Sequence, residues 1–234
     1  MEGYEELSKD ISIYRGFLTK DEQLEMINEI PDYFNILDEN GEYNYPDNRG
    51  NKKGRCFRKI SDCPPSVLQK VKEMKNVMEE KNKVFVYPDF THVLLNAYPT
   101  SVGMTWHQDD IGSHDGDEKA PVYTLSLGNS AIFIYRTFPK DIDHVVTLNS
   151  GDLLVFGGSV RSATCGSLRR MFHCLKTVIV DSFTESFNLR YNLTFRTCSN
   201  LSEEEYNDAQ TESYNKRRQE EFVKSRKERR KNYV

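Results

Sequence analysis

Late in its length the chain carries the alternating sequence Arg190-Tyr191-Asn192-Leu193-Thr194-Phe195-Arg196. Successive side chains of a β-strand point to opposite faces, so one face holds the apolar residues and the other holds two arginines with an amide and a hydroxyl between them. Arginine presents a rigid fork of donors that matches two oxygens of a carboxylate or phosphate. The polar face is therefore either the solvated side of a half-buried strand or one wall of a site for an acidic ligand.

The composition is that of a packed protein with polar, exposed segments. Its 234 residues suit one sizeable domain, and hydrophobic residues make up 37% of them against 29% charged residues. The acidic start MEGYEELSKD is unlike a secretory signal, and no run approaches the ~18 apolar residues of a membrane helix. Five cysteines without a C-x-x-C pair favour free thiols in a reducing compartment. We therefore expect an intracellular monomer, in the nucleus and/or cytoplasm, that does not contact a membrane.

Charge is unevenly distributed along the chain. The net charge is -4, yet nine Lys/Arg and only three Glu lie between Tyr214 and Val234, so the remaining body is strongly acidic. Nucleic-acid-binding domains usually carry a basic patch. An acidic body argues against broad phosphate binding, and any contact with nucleic acid has to be local.

Two helices are predicted in the N-terminal third. Thr19 to Glu22 has capping-box spacing, and apolar residues follow at helical spacing until Pro31, where the first helix should stop. The second should start near Pro64-Pro65 and run to about Lys83. Both are predicted to give structural support.

A basic and aromatic segment separates these helices. Asn48 to Ile60 contains six Lys/Arg and no acid, and Tyr43, Tyr45 and Phe57 lie in or beside it. Rings next to cations suit a single-stranded or flipped nucleotide, because the base stacks on a ring and the phosphates meet positive charge. The alternative is a solvated loop.

From Val84 onward short strands are predicted, punctuated by Pro, Gly and Asn. The predicted strands are 85–87, 91–98, 104–108, 122–127, 131–135, 145–148, 152–156, 170–177 and 188–197. Such a series without intervening helices predicts a mainly β, α+β protein whose core is an antiparallel double sheet of the jelly-roll or cupin kind, a double-stranded β-helix. We expect one domain over residues 1–202. The two helices and the basic aromatic segment between them, predicted to act as a lid, extend to about residue 90, and the jelly-roll core covers 91–200. A charged tail follows over 203–234.

His107 and Asp109 place an imidazole and a carboxylate on one face of an extended segment. With one more histidine they would form a two-His-one-carboxylate triad, which binds Fe(II) and leaves three positions open. By itself H-x-D is a weak signal. The remaining histidines are His92, His114, His144 and His173.

The order of these motifs resembles the AlkB family of Fe(II)- and 2-oxoglutarate-dependent dioxygenases, which are nucleic-acid N-demethylases. The resemblance runs from about Leu94 to Arg196. It rests on Asn96-x-Tyr98, His107-x-Asp109, Ser126 to Phe133, Ser150-Gly-Asp152, Phe156-Gly-Gly158, His173 and Arg190-x-Asn192-x-Thr194-x-Arg196.

The resemblance implies a role for each matching residue. His107, Asp109 and His173 would hold Fe(II), and no catalytic residue is implied beyond this metal site. Arg190, Asn192 and Tyr98 would grip the distal carboxylate of 2-oxoglutarate, while Asn96 and Arg196 would lie near its metal-side carboxylate. The implied reaction uses O2 to demethylate bases such as 1-methyladenine, 3-methylcytosine or N6-methyladenine in DNA or RNA, with release of formaldehyde, succinate and CO2.

Two departures concern the substrate. The bacterial repair branch of the family has H-x-D-x-D, whereas this chain has Ile111 in the last position. The segment from Ser159 to Arg170 is longer than the usual link between the Gly-Gly pair and the metal histidine in this family. Its arginines either contact a phosphate or lie on an exposed loop without a functional role, and the loop position is favoured for Arg161. The predicted substrate-contacting residues are Tyr43, Tyr45, Arg55, Phe57, Trp106 and Arg169.

The charged tail is acidic first and then basic, with few apolar residues. It is predicted to be a solvated helix or a disordered arm, and its basic end could also serve as a nuclear-localisation or nucleic-acid arm.

Two rival functions compete with nucleic-acid demethylation. One is the same chemistry, as hydroxylase or demethylase, on a protein or small molecule, which the acidic body favours and the basic aromatic segment opposes. The other is a non-catalytic jelly-roll binding module, which the intact triad and arginine pair argue against.

Overall fold

A computed structural model describes residues 3–34, 36, 40, 45–46, 52–81, 89–109, 117, 120–136, 142–161, 171–180, 187–199 and 202. The predictions made for Tyr43, His114, Ile111, Arg169, the strand at 85–87 and the charged tail lie outside these residues.

Twelve strands and two α-helices make up the described fold. The strands are β1 Tyr4–Ser8, β2 Ile11–Tyr14, β3 Tyr45–Pro46, β4 Lys52–Lys59, β5 His92–Pro99, β6 Met104–His107, β7 Val122–Gly128, β8 Ser130–Arg136, β9 His144–Leu148, β10 Leu153–Phe156, β11 Phe172–Ile179 and β12 Leu189–Arg196. The helices are α1 Lys20–Tyr33 and α2 Pro65–Lys81. Neither helix is long and apolar enough to cross a membrane, within the part of the chain described.

The strands form two antiparallel sheets that pack face to face. The larger sheet has the order β1-β2-β10-β7-β12-β5-β4-β3, and the smaller has the order β6-β11-β8-β9. Apolar side chains of both sheets meet in one cluster, including Ile13 and Leu154 from the larger sheet and Phe133 and Leu148 from the smaller. The predicted double antiparallel sheet with N-terminal helices is confirmed.

Helices α1 and α2 cover the outer face of the larger sheet. The apolar side of β12, with Tyr191, Leu193 and Phe195, lies in the same buried cluster as Met26 of α1 and Met74 of α2. Because the strand alternates, its polar side chains point the other way, between the two sheets. The polar face of β12 is thus enclosed rather than solvated, since Arg190 and Arg196 are 1% and 5% exposed.

A buried lysine joins the two helices. Lys70 of α2 lies 2.5 Å from Glu22 of α1 and 2.6 Å from Glu73 of its own helix. Glu22 also closes the capping box that begins α1, because its carboxylate accepts the backbone N–H of Thr19. The predicted start of α1 is confirmed, and the same residue anchors the helix pair.

Helix α1 does not stop at Pro31. It continues to Tyr33, and the backbone N–H of Phe34 donates to the carbonyl of Ile30. A proline is costly inside a helix because it lacks an N–H and its ring crowds the carbonyl four residues earlier. Here it lies in the last turn, where burial of Ile30 and Phe34 holds the chain in helical register. The prediction that the helix ends there was wrong.

The N-terminal third also contains strands that the sequence did not predict. β1 and β2 form a hairpin, and β2 pairs with β10 while β4 pairs with β5. Both pairings join segments that are far apart in the chain, so the hydrophobic pattern within each segment did not predict them. The basic segment predicted as a loop or lid is largely strand β4, with β3 paired to its first residues.

Candidate metal centre

His107 and His173 face each other across two paired strands. The register of β6 and β11 places the two residues opposite one another, and their ring centroids are 4.2 Å apart. Asp109 follows β6 by two residues, and its Oδ1 lies 3.9 Å from Nε2 of His107 and 3.7 Å from Nε2 of His173. All three ligand atoms lie within 4.8 Å of one another, a spacing that one metal ion can bridge with small side-chain adjustments.

The orientation of His107 suits a metal ligand. Its Nδ1 lies 2.8 Å from the carbonyl oxygen of Thr105. In the tautomer assigned from this contact Nδ1 carries the proton and donates it to the carbonyl, which leaves the lone pair of Nε2 directed at Asp109. Such an outer hydrogen bond fixes the ring of a metal-binding histidine.

The protonation states of the candidate ligands suit the binding of a metal cation. Burial raises the pKa of Asp109, but Arg196, His173, Arg161 and His107 outweigh it and hold that pKa well below its usual range. Burial, followed by neighbouring His107, lowers the pKa of His173 to about 3. The site therefore offers one carboxylate and a neutral buried imidazole at neutral pH, the donor set expected for Fe(II).

Aromatic side chains shield the back of the site. The rings of Phe133 and Phe156 lie 5.6 Å and 5.8 Å from the ring of His173. Both belong to the apolar cluster between the sheets, so they form an apolar wall on that side of His173.

Strand β12 runs through the larger sheet with its polar face toward this enclosed space. Its register sets Arg190 opposite Tyr98 of β5, and Asn192 opposite both Asn96 of β5 and Ser126 of β7. Side chains of directly opposed residues lie on one face of a sheet, so five predicted ligands of 2-oxoglutarate share one wall. They are Asn96, Tyr98, Arg190, Asn192 and Arg196.

Arg190 is held on several sides before any ligand binds. Its Nη2 donates to Ser126 Oγ at 2.7 Å, and its Nη1 donates to the carbonyl of Asn129 at 3.2 Å. The turn that presents Asn129 requires Gly128, which has a φ of +83° and whose added Cβ would lie 2.4 Å from the ring of Phe187. A guanidinium fixed in this way is preorganised for a carboxylate.

Two amides on this wall support an acidic ligand. The Oδ1 atoms of Asn96 and Asn192 are buried, and no residue in the described part of the chain hydrogen-bonds to them, which is a costly arrangement. Exchange of oxygen and nitrogen in either amide would instead present an NH2 donor at the same position. Together with the guanidinium of Arg190, such donors fit the carboxylates of 2-oxoglutarate.

The outer oxygen of Asp109 lies between two buried arginines. Its Oδ2 is 3.0 Å from Nη2 of Arg196 and 3.3 Å from Nη1 of Arg161. Arg161 is only 4% exposed, so the prediction that it decorates a loop was wrong. Sequence alone gave no signal for this contact, because Arg161 lies 52 residues from its carboxylate partner.

The other described histidines lie elsewhere. His92 is fully buried against the ring of Phe57, with ring centroids 4.6 Å apart, and His144 stacks on Tyr135. Among the residues that the structure describes, the group His107, Asp109 and His173 is the one that could hold a metal.

The predicted substrate residues are scattered. Arg55 is half-buried on β4 opposite Asn96, hence on the inner face of the larger sheet. Phe57 is 3% exposed, so its buried ring offers no face to a base. Trp106 alternates with His107 and turns to the outer face of β6, where the guanidinium of Arg136 lies 4.4 Å from its ring. Neither aromatic ring fits base stacking in the pocket. The backbone of Tyr45 lies in β3, and Arg169 lies outside the described residues.

Residues 37–196 match the 2OG-Fe(II) oxygenase superfamily, to which the chain therefore belongs. Two curated relatives match part of the chain. The chain is 33% identical over 121 residues to "DNA N(6)-methyladenine demethylase ALKBH1C" of Arabidopsis thaliana, covering 48% of this chain and 24% of that protein. It is 32% identical over 113 residues to ALKBH1D of the same plant, covering 44% of this chain and 24% of that protein.

A solved structure, "The structure of OsALKBH1", resembles the fold over most of the chain. The TM-score is 0.60 at 24% identity, and the match covers 83% of this chain and 99% of that one. The chain spans about a quarter of the length of the curated relatives it matches.

Proposed function

We propose that the protein is an Fe(II)- and 2-oxoglutarate-dependent dioxygenase that removes N-methyl groups from bases of DNA or RNA. N6-methyladenine is the first candidate, because two curated relatives are named as demethylases of that base in DNA. The observation that carries the proposal is the convergence of His107, Asp109 and His173 within 4.8 Å, in front of a strand lined with arginine and asparagine.

On the metal side, His107 and His173 would contribute neutral imidazole nitrogens and Asp109 its Oδ1. Bound Fe(II) with 2-oxoglutarate and O2 supplies the oxidation that inserts one oxygen atom into the methyl C–H bond and the other into succinate, with loss of CO2. The hydroxymethyl group on the base nitrogen then leaves as formaldehyde. The protein holds the reactants in register and excludes water around His173.

On the cosubstrate side, Arg190, Asn192 and Tyr98 would bind the distal carboxylate of 2-oxoglutarate. Arg190 is the strongest of these candidates, because Ser126 and Asn129 already fix its guanidinium. Asn96 and Arg196 would meet the carboxylate nearer the metal, since Arg196 also contacts Asp109.

On the substrate side, Arg55 offers positive charge on the same face as Asn96 and Asn192. Strand β4 carries further lysines and arginines. The phosphates of a nucleic acid bound beside the pocket would therefore be near positive charge, although the protein outside its C-terminal tail is acidic overall.

The deciding experiment supplies purified protein with Fe(II), ascorbate and 2-oxoglutarate under air. Oligonucleotides carrying N6-methyladenine, 1-methyladenine or 3-methylcytosine are offered as single and double strands, and nucleosides and succinate are measured by mass spectrometry. Loss of one mark with matching succinate, absent in His173→Ala, is the expected result.

Two other outcomes would redirect the proposal. Succinate formation with every mark intact would overturn the nucleic-acid substrate and favour a protein or a small molecule. Failure of the wild-type protein to bind either Fe(II) or 2-oxoglutarate would overturn the enzymatic function and favour a jelly-roll binding module.

A further inference from the structure

Arg161 connects the metal carboxylate to a second point on the chain. Its Nη1 donates to Oδ2 of Asp109, and its Nη2 donates to the backbone carbonyl of Asp117 at 3.3 Å. The carbonyl of Gly158 accepts the backbone N–H of Arg161 at 3.2 Å, so the residue ends a short 3-10 turn that follows β10. The position of this turn therefore determines where the guanidinium meets Asp109.

The turn is held from the opposite side by the N-terminal hairpin. Asp10 lies between β1 and β2 with a left-handed φ of 66°, which aspartate tolerates better than most residues. Its carbonyl accepts the N–H of Gly157 at 3.1 Å, and its Oδ2 accepts the backbone N–H of Ser159 at 3.0 Å. The hydroxyl of Ser159 donates to the same carboxylate oxygen.

The hairpin is itself firmly attached at this place. All four residues of β2 are buried, and the register sets Ile11 opposite Phe156, the last residue of β10. Residues 3–14 lie before the part of the chain that matches the superfamily, which begins at residue 37. The contact therefore adds a segment outside the matched family region to the supports of the metal site.

We propose that the N-terminal hairpin is a positioning element of the metal centre: Asp10 fixes the turn at 157–161, and Arg161 fixes the outer oxygen of Asp109. This inference rests on the proposed assignment of His107, Asp109 and His173 as metal ligands. It makes Asp10 and Arg161 positioning residues, because each acts on the site through another group.

The expected consequence is control over how Asp109 binds. Arg161 and Arg196 both engage Oδ2, so Oδ1 alone is left toward the imidazoles. A carboxylate held in this way ligates through one oxygen and leaves a coordination position for 2-oxoglutarate. Without Arg161 only Arg196 restrains Oδ2, so the carboxylate can turn more readily and offer both oxygens, which would retain the metal but compete with the cosubstrate.

The test separates metal affinity from cosubstrate affinity by using Mn(II), which occupies such sites without turnover. Affinities for Mn(II), and for 2-oxoglutarate on the Mn(II)-loaded protein, are measured by titration calorimetry. The proteins are wild type, Arg161→Met, Arg161→Lys and Asp10→Ala. The control is Asp143→Ala, which removes an aspartate that pairs with Arg136 at an exposed position and does not contact Asp109 or the turn at 157–161.

In Arg161→Met we expect Mn(II) to bind as tightly as in wild type or tighter, while 2-oxoglutarate affinity falls about tenfold or more. Arg161→Lys should recover part of that loss, because it restores the positive charge with a single donor group. Asp10→Ala should weaken 2-oxoglutarate binding in the same selective way by about threefold or more, with Mn(II) affinity retained. Asp143→Ala should behave as wild type.

Two results would overturn the inference. One is unchanged 2-oxoglutarate affinity in Arg161→Met and Asp10→Ala; the other is a parallel loss of Mn(II) and 2-oxoglutarate binding with a lowered melting temperature, which marks a purely structural role. The proposed function fails separately, if His173→Ala binds Mn(II) as tightly as wild type.

Discussion

Asn96 of β5 lies directly opposite Asn192 of β12, and on its other side it faces Arg55 of β4. The three residues form a row across the inner face of the larger sheet, which continues to Ser126 on β7. The row begins with a half-buried cation on β4 and ends at a hydroxyl that accepts a hydrogen bond from buried Arg190. The neighbours of the proposed cosubstrate site thus include Arg55, one of the residues predicted to contact the substrate.

Replacement of Arg55 by methionine should weaken nucleic-acid binding. We expect KM for a methylated oligonucleotide to rise and kcat to stay within about twofold, because this cation would stabilise the bound substrate and the transition state equally. The salt dependence of binding should fall by about one phosphate contact. Arg58→Met is the matched control. Arg58 lies on the same strand but on the opposite face, where it donates to the carbonyl of Tyr33. Equal effects of the two substitutions would contradict the assignment.

Loss of His173 should abolish metal-dependent stabilisation. A ligand that binds the native state at a hundredfold excess over its Kd adds about 2.7 kcal/mol to the free energy of unfolding. We expect Mn(II) to raise the melting temperature of the wild-type protein and to leave His173→Ala unchanged, while chelation by EDTA reverses the rise. His144→Ala, whose histidine stacks on Tyr135 away from the triad, is the control. An Mn(II)-dependent rise that persists in His173→Ala would be inconsistent with the proposed ligand set.

Arg190→Lys should raise the Kd for 2-oxoglutarate by about 10- to 100-fold. Lysine keeps the charge but loses the planar fork, and hydrogen bonds to charged groups contribute about 1.5–3 kcal/mol each. Calorimetry on the Mn(II)-loaded protein measures the change. The matched control is Arg15→Lys. Arg15 also pairs with a carboxylate, that of Asp152 at 2.8 Å, but it lies outside the proposed 2-oxoglutarate site. If Arg190→Lys bound 2-oxoglutarate normally, the distal carboxylate would have to be bound elsewhere.

The contact between Glu22 and Lys70 should make stability depend on pH in the acid range. Burial raises the pKa of Glu22, yet hydrogen bonds from Lys70 and Thr19 outweigh burial and lower that pKa in the folded protein. A lowered carboxyl pKa stabilises the fold above the pKa of the unfolded chain, and this stabilisation disappears as the pH falls through the folded-state pKa. Urea unfolding of wild type and Glu22→Gln should differ by about 0.5–1 kcal/mol at pH 7 and converge below about pH 4. Glu25→Gln, on the exposed side of α1, is the control, and a difference that stays constant with pH would contradict the prediction.

Pro31→Ala should stabilise the protein. Alanine restores an N–H that can donate to the carbonyl of Ile27 in the last turns of α1 and removes the clash of the proline ring with that carbonyl. The greater freedom of the unfolded alanine chain offsets about 0.4–1 kcal/mol of this gain. We expect a net rise of about 1–2 kcal/mol in the free energy of unfolding, measured with urea. Asp32→Ala, at the next exposed helix position, controls for helix propensity, and a loss of stability in Pro31→Ala would show that the proline is favourable here.

The sequence predicted those parts of the fold that leave a local pattern. Short runs of strand-forming residues separated by Pro, Gly and Asn identified β5 to β12, and the capping box located the start of α1. The hairpin of β1 and β2 was not predicted, because the pairing that stabilises it joins Ile13 to Leu154 on β10. Nor was β4 recognised as a strand, since its basic residues hide an alternation that only the pairing with β5 reveals.

The candidate site divides in the same way. The spacing of His107 and Asp109 indicated a possible metal site, because neighbours in a strand carry their geometry in the sequence. His173 and the residues predicted to bind 2-oxoglutarate followed from the family resemblance instead. Arg161 was missed because its partner lies on another element. The structure buries the ring of Phe57 and places the ring of Trp106 against Arg136 on the outer face of β6, because burial and strand direction decide which way a ring faces. Residue type alone does not determine either property.

The pairing of β6 with β11 bears on how this protein is made. His107 and Asp109 precede their third partner in the chain, and that partner lies on β11, which begins at Phe172 and pairs with both β6 and β8. A nascent chain that has not reached that strand has two of the three ligands and no closed sheet to hold them. The complete set of three ligands therefore exists only in a chain whose smaller sheet has assembled, so metal held by all three groups would report that this sheet has formed.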